Sequence, residues 1–268
     1  MPSIAESFFG LIGKKTGSFL SDIHFASKLI NDTFYWALIS PFKGKAIRFR
    51  ASVSEMVQVG YNSVPIVAVI SLFVGIILAL QAAYQLQKVG ALIYVADLVG
   101  VSLTRELAPI LTAIIVAGRS GSAFAAEIGS MKAAEEIDAL VTMGINPVRF
   151  LVVPKLLALM IMLPALTLFG DLIGMIGGFL LAITELGLHP YNYFQQTVNA
   201  LVMQDVITGL VKALSFSVVI TIVGAYQGFR VEGGAEEVGR RTTASVVVSI
   251  FLVIVFDLFF TAMFYFFS

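Results

Sequence analysis

From Val64 to Leu86 the chain carries no charged side chain. At 1.5 Å per helical residue that stretch is roughly 34 Å long, enough to cross the ~30 Å hydrocarbon core of a bilayer. Backbone polar groups in lipid must satisfy one another, which leaves helices or closed barrels. A continuous apolar run, without the alternation of a barrel strand, reads as a helix. Four more stretches repeat the pattern: about Asp97 to Gly118, Phe150–Ile183, Val206–Tyr226 and Ala244–Phe267. The third exceeds what a crossing needs, so it is expected to begin along the interface, with Pro154 and Pro164 able to kink it. Composition agrees. Hydrophobic residues make up 58% and charged residues 13%, and mean hydropathy is +0.94; soluble domains are about 45–50% apolar and about 25% charged. The expected fold class is all-α, a polytopic membrane protein with five transmembrane helices.

Charge orients the bundle. Fourteen of the 17 lysines and arginines fall in residues 1–63, 119–155 and 227–243. The loops 87–96 and 184–204 carry only Lys88. Basic loops stay cytoplasmic, so the N-terminus is expected inside and the C-terminus outside. Residues 1–63 are expected to form N-terminal interfacial helices, and 64–268 the five-span domain. In the former, Phe8, Leu11, Ile12, Phe19 and Ile23 alternate with Lys14, Lys15 and Asp22, and Trp36 precedes Pro41, the pattern of a helix lying on a membrane. The first long apolar run begins too late to be a signal sequence. A formal net charge of zero suggests no nucleic-acid partner. The absence of cysteine excludes disulfides and thiolate metal sites. No metal and no cofactor are expected.

Several charges sit where lipid should be. Arg105 and Glu106 lie side by side in the second stretch, and Lys212, Asp205 and Asp257 interrupt the last two. A charge at the bilayer centre costs roughly 3 kcal/mol on insertion scales, and such residues usually pair or face a polar cavity. Counted from the cytoplasmic helix ends, Arg105, Glu106, Lys212 and Asp257 all fall roughly 20 Å deep. Asp205 is further out but shares a helical face with Lys212. The expected pairs are Glu106 with Lys212, and Arg105 with Asp205 or Asp257. Two roles stay open: a lock that fixes helix packing, and a polar site that also lines or gates a cavity. Gly170, Gly174 and Gly178 mark a close helix–helix contact, expected within one subunit, with Asp171 capped beside it.

A cytoplasmic helix is expected from about Glu127 to Met143. Ile128, Met131, Ala134, Ile137 and Leu140 form an apolar stripe, Lys132, Glu135, Glu136 and Asp138 the polar side, and Gly144 and Pro147 the stop. Such a stripe can dock in a partner's groove. The chain shows no motor of its own: Gly10 to Thr16 lacks the spacing of a phosphate-binding loop. One enzymatic alternative is a serine hydrolase built on Gly118-Arg119-Ser120-Gly121. A serine nucleophile needs a base, and the histidines, His24 and His189, are poorly placed to supply one. A passive channel or scaffold is the other alternative. Its balanced charges would offer no obvious ion selectivity.

Long stretches of the sequence nevertheless resemble one family. They are Arg105-Glu106-Leu107-Ala108-Pro109, then Ala117-Gly118-Arg119-Ser120-Gly121-Ser122, then Ala126-Glu127-Ile128-Gly129-Ser130-Met131-Lys132. Glu135-Glu136-Ile137-Asp138, Arg240-Arg241-Thr242-Thr243 and Asp257 to Thr261 continue the match. Over about residues 50–268 the chain is similar to the MlaE-type permeases, membrane subunits of ABC transporters that work with MCE proteins on lipids. The resemblance implies a non-enzymatic permease of the bacterial inner membrane, working as a homodimer. It implies two cytoplasmic ATPase subunits docked on the loop helix through Glu127, Met131, Glu135, Glu136, Ile137 and Leu140. It further implies an MCE-domain ring outside and, in many systems, a STAS-domain protein on the ATPase. Phospholipid would be the cargo, in a cavity that opens outward and is lined or braced by Arg105, Glu106, Asp205 and Lys212.

Overall fold

The computed structural model describes residues 22–39 and 48–267, the side chain of Phe267 excepted. The expectations for residues 1–21, and for Lys43 and Lys45, lie outside the described residues. Five helical segments are long and apolar enough to cross a membrane: Phe49–Val89, Leu92–Ala133, Val148–Thr184, Met203–Phe229 and Ala235–Phe266. The first four run past both ends read from the sequence, and the fifth past its start. Hydropathy marks only the part that lipid can hold, whereas backbone hydrogen bonding carries a helix on into the polar zone. Residues 49–63, expected among the interfacial helices, therefore form the start of the first spanning helix, α2 (Phe49–Leu86).

Residues 22–34 form α1, which runs into a wide π-helical turn, Tyr35–Ile39. Leu29, Thr33 and Ala37 are its buried side. Its first described turn is tied down by an ion pair between Asp22 and Arg230, and by the Phe25 and Tyr226 rings, 5.8 Å apart. Ile23, Ile30, Leu38 and Ile39 face outward.

The second segment is one helical path with two wide turns. Its parts are α3 (Val95–Ser102), a π turn Leu103–Leu107, α4 (Ala108–Val116), a π turn Ala117–Gly121, and α5 (Ser122–Ala133). The first wide turn has a local cause. Pro109 has no N–H for the Arg105 carbonyl and its ring crowds that oxygen, so the helix opens and Ala108 N–H reaches back to Leu103 O. At 42 residues this path is roughly 63 Å long, so α5 extends well beyond the bilayer core.

The expected single helix from Glu127 to Met143 is in two pieces. α5 ends at Ala133, Glu135 adopts a left-handed φ of 59°, and α6 (Glu136–Thr142) turns back. Lys132 Nζ bonds Asp138 Oδ1 at 3.0 Å across the break. The reversal has an apolar driving force: Ile137 and Leu140 join Leu29, Ile128, Leu151 and Val152 in one buried cluster.

A further π turn, Val148–Val152, leads into α7 (Val153–Thr184), which continues through Pro164. α7 lies against α2 at backbone contact. A Cβ placed on Gly75 would fall inside the Gly174 carbonyl, and one on Gly177 inside that of Leu72. The glycine steps expected on the third span thus serve a contact within the chain, where only hydrogen permits this separation. Asp171 is buried there, and among the described residues its Oδ1 meets no hydrogen-bond partner, so the expected cap is not found among them.

At the end opposite most of the described basic residues, α8 (Pro190–Ala200) is capped by His189 Nδ1, which accepts the Tyr191 N–H at 3.3 Å. Tyr191, Phe194 and Val198 are exposed along one stripe, while Tyr193 is buried. Burial, and then the charge of Asp97, push the Tyr193 phenol up to about 12. α9 (Met203–Phe229) is central and largely buried. α10 (Ala235–Phe267) leaves a broad apolar face open, with Phe251, Leu258 and Phe259 each more than 60% exposed.

Candidate functional site

The wide turn before Pro109 aims adjacent side chains at different neighbours. Glu106 turns toward α9, where Lys212 is fully buried. Their approach is set by Gly209, one turn before Lys212: a Cβ there would overlap the Thr104 carbonyl, so α9 rests directly on the π turn. Lys212 Nζ donates to Glu106 Oε2 and, at 2.7 Å, to Thr261 Oγ1. Asp257 Oδ1 lies 3.0 Å from the same ammonium but out of hydrogen-bond geometry, an ion pair only. Thr261 in turn donates to Glu106 at 3.2 Å. Three spans therefore meet at one lysine, and two carboxylates face one ammonium, a formal excess of one negative charge.

Arg105 takes the other direction. Its Nη1 lies 3.6 Å from Asp205 Oδ1, while Asp205 Oδ2 accepts the Val202 N–H at 3.2 Å at the start of α9. The structure brings together both expected pairs, Glu106 with Lys212 and Arg105 with Asp205, and assigns Asp257 to the lysine. Thr261 was not singled out from the sequence. The available signal was its place one helical turn after Asp257, on the same face.

The two pairs differ in depth. The Arg105 side chain is 39% exposed and its contact is long, so solvent weakens it. Arg105→Gln is expected to lower stability by at most about 1 kcal/mol. Thermal unfolding of the detergent-solubilised protein would check this. A loss as large as that for Lys212 would mean the two pairs act as one network.

A second ionic cluster, unforeseen from the sequence, holds the end where most described basic residues lie. Lys155 of α7 is 2% exposed, and its Nζ donates at 2.6 Å both to Glu55 Oε1 of α2 and to Glu127 Oε2 of α5. It also sits 4.7 Å from the Phe124 ring centroid. Its partner Glu55 is 100 residues away in sequence and Glu127 is 28, beyond the reach of local pattern reading.

These placements revise the expected docking residues. Ile137 and Leu140 are 5% and 8% exposed, covered by the chain's own core, and Met131 is half-buried against the same cluster. Glu127 is engaged by Lys155. Glu135 and Glu136 stay exposed, beside Asp138, Val141, Thr142 and Met143. Among the described residues, neither His189 nor Lys155 is available to the hydrolase alternative as a base. Ser120 is buried in the second π turn, His189 caps α8 at the opposite end, and the Lys155 amine is taken up by two carboxylates.

Comparison with known proteins agrees with the motifs. The family model described as Permease MlaE matches residues 52–263. A probable ABC transporter permease protein of Rickettsia typhi is 38% identical, covering 91% of this chain and 93% of its own length. One from Synechocystis is also 38% identical, covering 80% and 81%. The chloroplastic protein TRIGALACTOSYLDIACYLGLYCEROL 1 of Arabidopsis thaliana is 31% identical, over 83% of this chain and 63% of its own length. A five-span helical body, its intramembrane charges and a family match over most of its length lead to one conclusion: the chain belongs to the MlaE permease family and is an ABC transporter permease.

Proposed function

We propose that this permease moves phospholipid or a related lipid between the bacterial inner membrane and an MCE-domain protein on the outer side, powered by a separate ATPase. The observation that carries this reading is the Glu106–Lys212–Asp257–Thr261 cluster around a fully buried lysine, a polar centre held among three apolar spans, where a lipid headgroup could be met or a path gated. The name of the Arabidopsis relative contains a galactosylated diacylglycerol, which supports a glycerolipid cargo. In this reading the end rich in Lys and Arg is cytoplasmic and the C-terminus faces outward. Two copies assemble as a homodimer, because the five spans of one subunit offer too little wall for a two-tailed lipid. Each copy receives one subunit of the ATPase dimer, which in many systems also carries a STAS-domain protein.

Reconstitution with the cognate ATPase and MCE protein tests the function. ATP-dependent transfer of labelled phospholipid is expected, and transfer that proceeds equally without ATP would favour the passive-channel reading.

The exposed rim of α6 is the proposed ATPase contact. Val141→Glu with Met143→Glu is expected to reduce ATPase copurification at least about tenfold, the loss expected when apolar anchors are replaced by charge. The permease itself should remain in the membrane. Unchanged copurification of the ATPase would remove α6 from the interface. Ile137→Asp is a poorer probe, since it would place a charge in the permease's own core.

A further inference from the structure

Lys155 holds more negative charge than it needs. One carboxylate neutralises an ammonium, and this one meets two, Glu55 Oε1 and Glu127 Oε2, each at 2.6 Å. One of them can leave without stranding the buried lysine as an unpaired cation. The cost of leaving is unequal. The Glu55 side chain is 19% exposed, so parting would leave it largely buried and unpaired, whereas that of Glu127 is 51% exposed and returns to water. Space for the exchange is at hand. Both glutamates line a cavity of about 30 Å³ with Gln58, Arg119 and Ser120. A water molecule takes about 10–15 Å³ of such space. Arg119, which gives one donor to Ser63 Oγ at 3.1 Å, brings a second cation to that cavity.

The two carboxylates also ride on different helix pairs. Glu55 and Lys155 belong to α2 and α7, which touch backbone to backbone at Gly75 and Gly177. Glu127 belongs to α5, which is seated as closely on α9: a Cβ on Gly228 would lie 3.1 Å from the Ala125 carbonyl oxygen and 2.7 Å from Ile128 Cβ. Between the pairs the contact is made by side chains, Leu159 and Leu163 of α7 sharing one buried cluster with Phe216 and Ile220 of α9. A side-chain seam permits the small sliding of a shear motion. The Lys155–Glu127 bond crosses that seam, in the helix that leads to α6. We propose that Lys155 is a positioning residue for transport, a latch that keeps Glu55 throughout the cycle and gives up Glu127 to water when the ATPase moves α6 and α5. This rests on the reading of α6 as the ATPase contact.

The permease reconstituted with its ATPase and MCE protein tests this, read for ATPase copurification, thermal unfolding, ATP hydrolysis and labelled phospholipid transferred per ATP. Glu127→Gln leaves the seam unlatched at rest, so strokes of the ATPase no longer change it. This variant is expected to keep the ATPase bound, to unfold close to the wild-type temperature, and to go on hydrolysing ATP. Lipid transferred per ATP should fall roughly tenfold, within the usual range of coupling between sites. Glu55→Gln, which removes the retained partner, should instead lower the unfolding temperature. Should Glu127→Gln not fold, Glu127→Asp, which keeps the charge and withdraws it by one methylene, carries the same expectation. Unchanged transfer per ATP overturns the latch. A parallel loss of stability, hydrolysis and transfer in Glu127→Gln overturns it in favour of a packing contact only. Loss of the bound ATPase overturns it in favour of a direct contact between Glu127 and the partner. The reading of α6 is judged apart, by copurification with Val141→Glu and Met143→Glu, so either failure is recognisable by itself.

Discussion

Lys212→Ala is expected to abolish lipid transport and to destabilise the permease by about 3–5 kcal/mol, the usual cost of breaking a buried ion pair from one side. Lys212 is fully buried and is the cation shared by Glu106 and Asp257. Without it two carboxylates face each other where the π turn Leu103–Leu107 meets α9 and α10. Glu106→Ala should cost less, because the Glu106 side chain is 36% exposed and Asp257 remains to face the lysine. The charge-swapped double variant, Glu106→Lys with Lys212→Glu, separates the two roles. Recovery of both stability and transport would identify a packing lock. Recovery of stability without transport would show that the sign of charge at each position matters to the headgroup or to gating. Transport assays in proteoliposomes and thermal unfolding supply both readouts, and wild-type behaviour of Lys212→Ala in each would end the idea.

Gly75→Val is expected to prevent folding. The new Cβ alone would occupy the Gly174 carbonyl, which is backbone within a long helix and cannot rotate aside. The penalty exceeds the ~1–3 kcal/mol of ordinary overpacking, where side chains yield. The measurement is the fraction of expressed protein extracted as a monodisperse species, compared with Gly118→Ala. Gly118 has open space around it, so its variant should extract normally. Normal extraction of Gly75→Val would mean α2 and α7 are not at backbone contact.

The spans were legible because lipid imposes a local rule: enough apolar residues in a row make a helix. The pairing of Glu106 with Lys212 was legible for a related reason, since a charge in an apolar helix needs an opposite charge at its own depth. Depth can be counted along one helix at a time. What could not be read has the opposite character. Lys155 and Glu55 are brought together only by the packing of α7 on α2, which no local pattern records. The break at Glu135 involves neither glycine nor proline; a left-handed glutamate is accepted there because folding α6 back buries Ile137 and Leu140. Their apolar stripe was visible in the sequence. Spacing shows that a stripe will be covered, and is silent on whether the chain's own core or a partner covers it.

The helical path from Leu92 to Ala133 carries Glu106 at its first wide turn and Glu127 in α5, on the far side of its second. A sideways push on such a path becomes a tilt further along, except where it can bend. Between those two glutamates the wide turn Ala117–Gly121 is the bending point. It is not free to bend alone. A Cβ on Gly224 of α9 would come within 3.0 Å of the Gly121 carbonyl oxygen, and one on Gly121 within 3.0 Å of the Ile220 side chain. The joint lies against the helix that holds Lys212, so any bend at Ala117–Gly121 that closed these contacts would press on α9, the helix that anchors the charge cluster.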